Sequence, residues 1–313
     1  MAKSAFSFKL YFTMDDLKRM AVFATVVQHR SMSGAARALG MSPSAVSQQV
    51  RQLEREGGVT LLHRSTRKLA LTEAGERVHL HCAAMVQAAA QARAELVATR
   101  DAPSGVLRMS TTVGFARHVE PALGDLLARH PALRLRVLVD DASIDLITAR
   151  VDLAIRFGSL ADSSWAARRL GSLQWWLCAA PSWLERHGAP VLIDSLPSLQ
   201  WLGFANDSGA LRLDMRGPHG EQRAMRLEPR ISSNNQLSIQ QMCVGGLGVA
   251  MLGSIDAHDD VASGRLVRLL PDWQQPALDI WAVTPQRDAQ PAKVRMAIDA
   301  LHRYLRGQPG VFD

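Results

Sequence analysis

Cysteine is scarce in this sequence. Cys82, Cys178 and Cys243 are the only three in 313 residues, and no Cys-x-x-Cys or Cys/His ligand spacing surrounds them. Neither a disulfide framework nor a zinc site is indicated, and a reducing compartment, the cytoplasm, is expected. Two readings of the thiols stay open, small buried hydrophobes or a redox sensor. Apolar runs long enough to span a membrane are also lacking, so no membrane partner is expected. Residues 1–13 lack the unbroken apolar stretch and cleavage site of a signal peptide, and are expected to be a disordered extension or the product of an early start codon. There is no nucleophile elbow, no metal spacing and no cofactor fingerprint, so the chain is not expected to be an enzyme or to hold a metal or cofactor. Gly245-Gly246-Leu247-Gly248 follows a helical pattern instead of preceding one, and reads as a helix-to-strand turn.

Net charge is missing from one part and concentrated in the other. Residues 101–313 carry 22 Lys+Arg and 22 Asp+Glu, whereas residues 1–100 carry 14 and 7. The whole net charge of +7 therefore resides in the first hundred residues, the footprint of a phosphate-binding module joined to a neutral one.

Within that basic part, Leu17, Met20, Ala21, Phe23, Ala24 and Val27 form the apolar stripe of a first helix after Asp15-Asp16. Ser33 is expected to cap a short second helix over residues 34–39, and Gly40 makes the turn that follows. A third helix opens at Ser42-Pro43-Ser44 and closes at Gly57-Gly58. Val46, Val50 and Leu53 give it a core face, which leaves Ser44, Gln48, Arg51 and Arg55 on the opposite side. Gln pairs bidentately with adenine and Arg with guanine or phosphate, so this is the expected reading surface for a major groove. Ser47 lies nearer the core face, where a base contact and a structural contact are both open. Two short strands around residues 63–72 flank a basic tip, from which Arg64, Arg67 and Lys68 are expected to reach phosphates or the minor groove.

From Thr72 to about Asp101 the chain has no proline and much alanine. Val78, Cys82, Met85, Ala89, Ala92, Leu96 and Thr99 alternate at spacings of four and three, the mark of a heptad seam. The alternatives are packing on the helix's own domain or a dimer coiled coil, and length with polar flanks favours the dimer. Pro103-Ser104-Gly105 then serves as a hinge.

Beyond the hinge, strand and helix patterns alternate. Expected elements are a strand at 106–110, a helix near 119–129, a strand at 134–139, a helix near 144–149 and a strand at 152–157. A long strand region at 168–180 follows. A second set begins at Pro181, with strands at 199–204, 224–232, 249–252 and 266–270 and helices near 236–244 and 254–261. The strand at 278–283 and the helix at 292–305 are expected to return to the first set. Such alternation means two largely parallel α/β lobes with ligands at the strand ends. Ser110-Thr111-Thr112, Asp140-Asp141, Phe204 with Asn206 and Asp207, and Asn234-Asn235 all follow strands and are expected to line one cleft. Hydroxyls and free N–H groups at a helix start suit a carboxylate; helix capping is the alternative for each Ser or Asn. Trp175, Trp176 and Trp201 suit either an aromatic ligand or sheet packing.

Leu39-Gly40-Met41-Ser42-Pro43-Ser44-Ala45-Val46-Ser47, then Leu53-Glu54, Arg64-Ser65-Thr66-Arg67 and Leu71-Thr72-Glu73-Ala74-Gly75, resembles the LysR-type transcriptional regulator family of bacteria, a likeness that extends over nearly all of residues 14–313. Gln48 stands where that family often has Arg, and Gly57 where it often has Leu. The resemblance implies an N-terminal all-α winged helix-turn-helix (14–72) with a long linker dimerisation helix (73–102). It implies a C-terminal α/β two-lobed effector domain (103–313) resembling a periplasmic binding protein, with lobe 1 at about 103–180 and 276–306 and lobe 2 at about 181–275. Double-stranded DNA, a small-molecule effector, a homodimer or homotetramer and RNA polymerase are the partners it implies, and the cleft residues suit an acidic or aromatic effector.

Overall fold

The computed structural model describes residues 13–64, 69–141, 145, 148–160, 165–190, 192–204, 210–285 and 288–312. The expected helix near 144–149 falls largely outside these; residues 148–150 form a turn. The chain divides into two compact units, Met1–Ala98 and Thr99–Asp313.

The first unit opens with α1 (Met14–His29), whose cap is Thr13. Thr13 Oγ1 accepts from the Asp16 amide, and the Asp16 carboxylate accepts from the Thr13 amide at 2.7 Å, a reciprocal capping box. Thr13 thus belongs to the folded domain, one residue earlier than expected. Helix α2 spans Met32–Leu39 and is capped by Ser31, not Ser33. The amide of Gly34 bonds Ser31 Oγ at 3.2 Å, which leaves Ser33 exposed inside the helix. Gly40 closes α2 at φ 64°, and α3 runs Pro43–Gly57 between its cap Ser42 and Gly58 at φ 63°. Strands β1 (Leu62–Arg64) and β2 (Leu69–Leu71) pair antiparallel to make the wing. Phe23, Val26, Ala35, Val46, Val50, Leu61 and Leu62 are the buried core.

Helix α4 (Glu73–Asp101) starts on this core. Cys82 is buried in it, and Val78 and Val86 pack against it. The first part of the expected dimer seam is therefore used within the domain, because the opening turns of α4 lie over α1, with His79 edge-on to Phe23. Ala89, Ala92 and Leu96 remain exposed, Leu96 at 74%. Gly75 is what lets α4 come so close: a Cβ there would stand 2.1 Å from the Leu61 carbonyl oxygen.

In the second unit, β3 (Gly105–Thr111) leads through a 3-10 turn (Gly114–His118) to α5 (Val119–Arg129) and β4 (Leu133–Val139). Then come β5 (Leu153–Phe157), β6 (Ala166–Leu173), β7 (Trp175–Ala179), α6 (Pro181–His187) and β8 (Trp201–Phe204). They are followed by β9 (Leu211–Arg216), β10 (Gln222–Leu227), β11 (Ile231–Ser233), α7 (Gln236–Val244), β12 (Val249–Gly253) and α8 (Ser254–Ala262). Strands β13 (Val267–Arg268) and β14 (Leu278–Thr284), α9 (Ala292–Arg306) and β15 (Val311–Phe312) complete the chain.

Among the described residues two large sheets result, ordered β15-β6-β14-β5-β3-β4 and β11-β8-β12-β7-β13, with β9 and β10 forming a separate two-stranded one. Each has a parallel half, β4-β3-β5 and β11-β8-β12, as βαβ alternation requires. Each also has an antiparallel half, because β14, β6 and β7 are the strands on which the chain crosses between lobes. The expected strand at 168–180 is two strands broken at Gln174, whose amide bonds the Gly310 carbonyl at 3.1 Å. Strand β7 pairs with β12, so the lobe boundary falls at Gln174 rather than residue 180. The expected strand at 224–232 is likewise split, at Pro229, into β10 and β11. Its first half pairs with β9, whose Leu211, Leu213 and Met215 face inward, a hairpin not anticipated from the sequence.

Candidate nucleic-acid interface and effector cleft

On α3, Val46 and Val50 are fully buried, and Ser44, Gln48 and Arg51 are exposed on the other side. Pro43 occupies the first turn, and Ser44 Oγ lies 2.9 Å from Ser42 Oγ. Ser47 is half-buried at the edge of the core face. The far end of α3 is fixed by its own carboxylates. Glu54 Oε1 accepts from the amides of Leu61 and Leu62 at 2.9 and 3.1 Å, which ties the wing to the helix. Glu56 pairs with Arg19 of α1, which also bonds Asp16 at 3.0 Å. These acids stand at the end of α3 remote from Ser44, so they orient the helix without opposing a phosphate backbone there. Thr72 Oγ1 donates to Thr60 O at 2.7 Å and accepts from the Gly75 amide, so the Leu71–Gly75 motif is the joint between wing and α4. Arg64 ends β1, but its side chain, with Arg67 and Lys68, lies outside the described residues.

In the second unit a cavity of about 1050 Å³ lies between the two sheets. Thr112, Asp141 and Phe204 line it, as the sequence suggested. Ser110 and Thr111 do not. Both are fully buried on β3, where Ser110 Oγ accepts from Arg156 Nη2 at 3.2 Å and Thr111 Oγ1 has no partner among the described residues. Asn234 is exposed and Asn206 and Asp207 fall outside the described residues. Asn235 caps α7, accepting from the Ser238 amide at 2.9 Å, and its Nδ2 donates to Asp141 Oδ2 at 2.8 Å. Asp141 Oδ1 accepts from the Val113 amide at 2.9 Å. Trp175 lines the cavity. Trp201 is core, its Nε1 bonded to Leu196 O at 2.7 Å, and Trp176 lies under the Arg268 guanidinium.

Sequence reasoning missed the cations of the cleft. Arg156 comes from β5, and Arg212 and Arg226 sit directly opposite each other on the β9–β10 hairpin. Burial draws the Arg156 guanidinium below its ordinary range, and the nearby Asp140 opposes that shift. Arg212 is paired with Asp214 at 3.0 Å; Arg226 has no partner among the described residues. Phe115, Phe157, Trp175 and Met225 supply apolar walls. The alternation at 211–216 was the one signal that could have placed the hairpin.

A polar bridge also joins the lobes. Arg117 donates to Gln240 Oε1 at 3.1 Å and pairs with Asp256. The His118 ring bonds Tyr304 Oη at 2.7 Å and Asp256 Oδ1 at 3.3 Å. Burial raises the Tyr304 phenol. All three cysteines are free and buried. Burial pushes the Cys178 thiol up to about 12 and raises Cys82 and Cys243 as well, which favours the small-hydrophobe reading of all three. No group of side chains that could hold a metal ion occurs among the described residues, and no described helix is long and apolar enough to cross a membrane.

Comparison with known proteins covers both units. Residues 17–76 match the model described as bacterial regulatory helix-turn-helix protein, lysR family, and residues 100–306 match the LysR substrate binding domain. The chain is 36% identical to the HTH-type transcriptional regulator DmlR of Escherichia coli, over 92% of this chain and 94% of that protein. It is 33% identical to the HTH-type transcriptional activator AaeR of Escherichia coli, over 93% and 94%. Among solved structures, the full-length Vibrio cholerae virulence activator AphB aligns with TM-score 0.69 at 26% identity, over 94% of this chain and 99% of that one. The Neisseria meningitidis regulator CrgA aligns with TM-score 0.57 at 29% identity, over 92% and 98%.

Proposed function

This chain belongs to the LysR family of bacterial transcriptional regulators, and from that premise we propose that it binds promoter DNA as a homodimer or homotetramer and answers to a small acidic ligand with an apolar or aromatic body. The observation that carries the DNA half is the exposed face of α3, which sets Ser44, Gln48 and Arg51 opposite the buried Val46 and Val50 within the first hundred residues, where the net positive charge of the chain resides. Gln48 and Arg51 read base edges, Ser44 and Ser47 hold the register, and Arg64, Arg67 and Lys68 of the wing hold phosphates, with Ser33 at the DNA-facing side of α2. The ligand half rests on the cleft, where Arg156, Arg212 and Arg226 offer guanidinium groups among the carboxylates of Asp140, Asp141 and Asp256, beside the Trp175, Phe157 and Met225 surfaces.

Association proceeds through the exposed part of α4, at Ala89, Ala92 and Leu96, with Met85 at its margin. Activity is regulatory and cytoplasmic, and RNA polymerase is the partner through which it reaches transcription. Genomic footprinting of the full chain tests the reading. Discrete protected sites next to a gene set support it, and uniform low-level coverage of the chromosome contradicts it. A thermal-shift screen of small organic acids then tests the ligand half, with turnover assays on any stabilising compound to detect catalysis.

A further inference from the structure

The sequence marks the turn after β3 and the start of α7 as a seat for a ligand carboxylate. The structure finds that seat filled from within. Asp141 places one carboxylate oxygen on the Val113 amide of lobe 1 at 2.9 Å and the other on Asn235 Nδ2 of lobe 2 at 2.8 Å. Both donors are neutral, and together they form the forked arrangement that a carboxylate requires. Asp141 lines the cavity, and its carboxylate takes up both donors. Asp141 lies only two residues beyond β4, and the preceding Asp140 amide is bonded to Thr111 O at 3.0 Å, so the carboxylate is held close to the seat by its tether.

We propose, on the reading that the cleft takes an acidic effector, that Asp141 is a tethered stand-in for the effector's carboxylate. It satisfies the seat and links the two lobes. An acidic effector takes its place on Val113 and Asn235, and the Asp141 link between the lobes is broken as the ligand's own link is made. This is a ligand exchange among hydrogen bonds, with no bond cleavage and no net proton transfer.

The arrangement also sets specificity. A carboxylate tethered this closely competes at an effective concentration on the order of millimolar or above. A small free acid below that concentration cannot match it. An acid with an apolar body gains additional contact with Trp175, Phe157 and Met225 and competes at lower concentration. The seat therefore disfavours short acids relative to larger ones.

The test uses the full chain and acetate. Asp141→Ala empties the seat, so sodium acetate should raise its thermal unfolding midpoint in a saturable way, beyond sodium chloride at the same ionic strength. The unchanged chain should show no such response, and Asp141→Ala combined with Asn235→Ala should lose it. A folded Asp141→Ala variant indifferent to acetate overturns the proposal, as does an equal response in the unchanged chain. Asp141→Ser, which also vacates the seat, serves if the alanine variant folds poorly. Benzoate, an acid with an aromatic body, tests displacement by calorimetry, and Asp141→Ala should bind it on the order of tenfold tighter than the unchanged chain. Benzoate binding unaltered by Asp141→Ala would leave an acid-binding cleft but overturn displacement. Acetate rescue of the variant with no aromatic or aliphatic acid bound by the unchanged chain would overturn displacement and the acidic-effector reading together.

Discussion

A helix with period 3.6 turns its polar side away from Val46 and Val50, and Gln48, Ser44 and Arg51 are exposed on that side of α3. Replacing Gln48 by Ala should cost roughly 1–3 kcal/mol on the specific site and relax preference at one base pair per half-site. Competition titrations with single-position variants of the cognate duplex measure this; an equal loss on every duplex would transfer base reading to Arg51. Arg156 was not legible, since a lone Arg within Ala-Ile-Arg-Phe carries no periodic mark, and only the fold shows it turned to the cleft. The cysteines yield a second expectation. A thiol whose folded-state value is raised toward 12 stays protonated while the unfolded thiol ionises above about 9. The stability this contributes is complete below pH 9 and is lost as pH rises from there toward 12. Cys178 and Cys243 should therefore resist a thiol-specific aromatic disulfide reagent at pH 8 in the folded chain and react fully in denaturant. Rapid labelling of the native chain at either position would contradict their burial.

Elements were predicted best where capping and periodicity agree, and worst where tertiary contacts cut a continuous pattern. Helix α3 ends where its Ser42 and Gly58 signals put it. Helix α2 began earlier, because Ser31 and Ser33 are equivalent as caps by composition and only the Gly34 amide discriminates between them. The strand at 168–180 broke at Gln174, where a carbonyl from the chain's far end captures the amide, a contact invisible to any local window. For α4, the heptad spacing was correct as a pattern and ambiguous as to partner, and its first turns serve the domain's own core. Gly75→Ala should destabilise that joint by about 1–3 kcal/mol, since the obstacle is the Leu61 backbone carbonyl and not a movable side chain. Chemical denaturation followed by circular dichroism would read it; unchanged stability would mean that α4 can lift from the wing at no cost. Leu96→Asp should leave the fold intact but weaken self-association and DNA binding together, because Leu96 is exposed at 74% on the free part of the seam. Light scattering that shows the same mass as the unchanged chain would remove α4 from the interface.

At the scale of the whole molecule, the division of labour was written in the charge distribution: +7 in the first hundred residues and zero in the rest. The two-lobed layout followed from strand and helix alternation. The content of the cleft did not, because it is assembled from the turn after β3, β5, the β9–β10 hairpin and the start of α7, segments distant in sequence that meet only in the fold. Specific reading of a duplex by the basic unit, beyond coating of nucleic acid, is the expectation. It is tested most directly by titrating the full chain, by fluorescence anisotropy, on a footprinted genomic duplex and on a scrambled duplex of equal length at several salt concentrations. Binding to the genomic duplex should be tighter by about a thousandfold or more, with both affinities falling as salt rises. Equal affinity for the two duplexes at every salt concentration would contradict it.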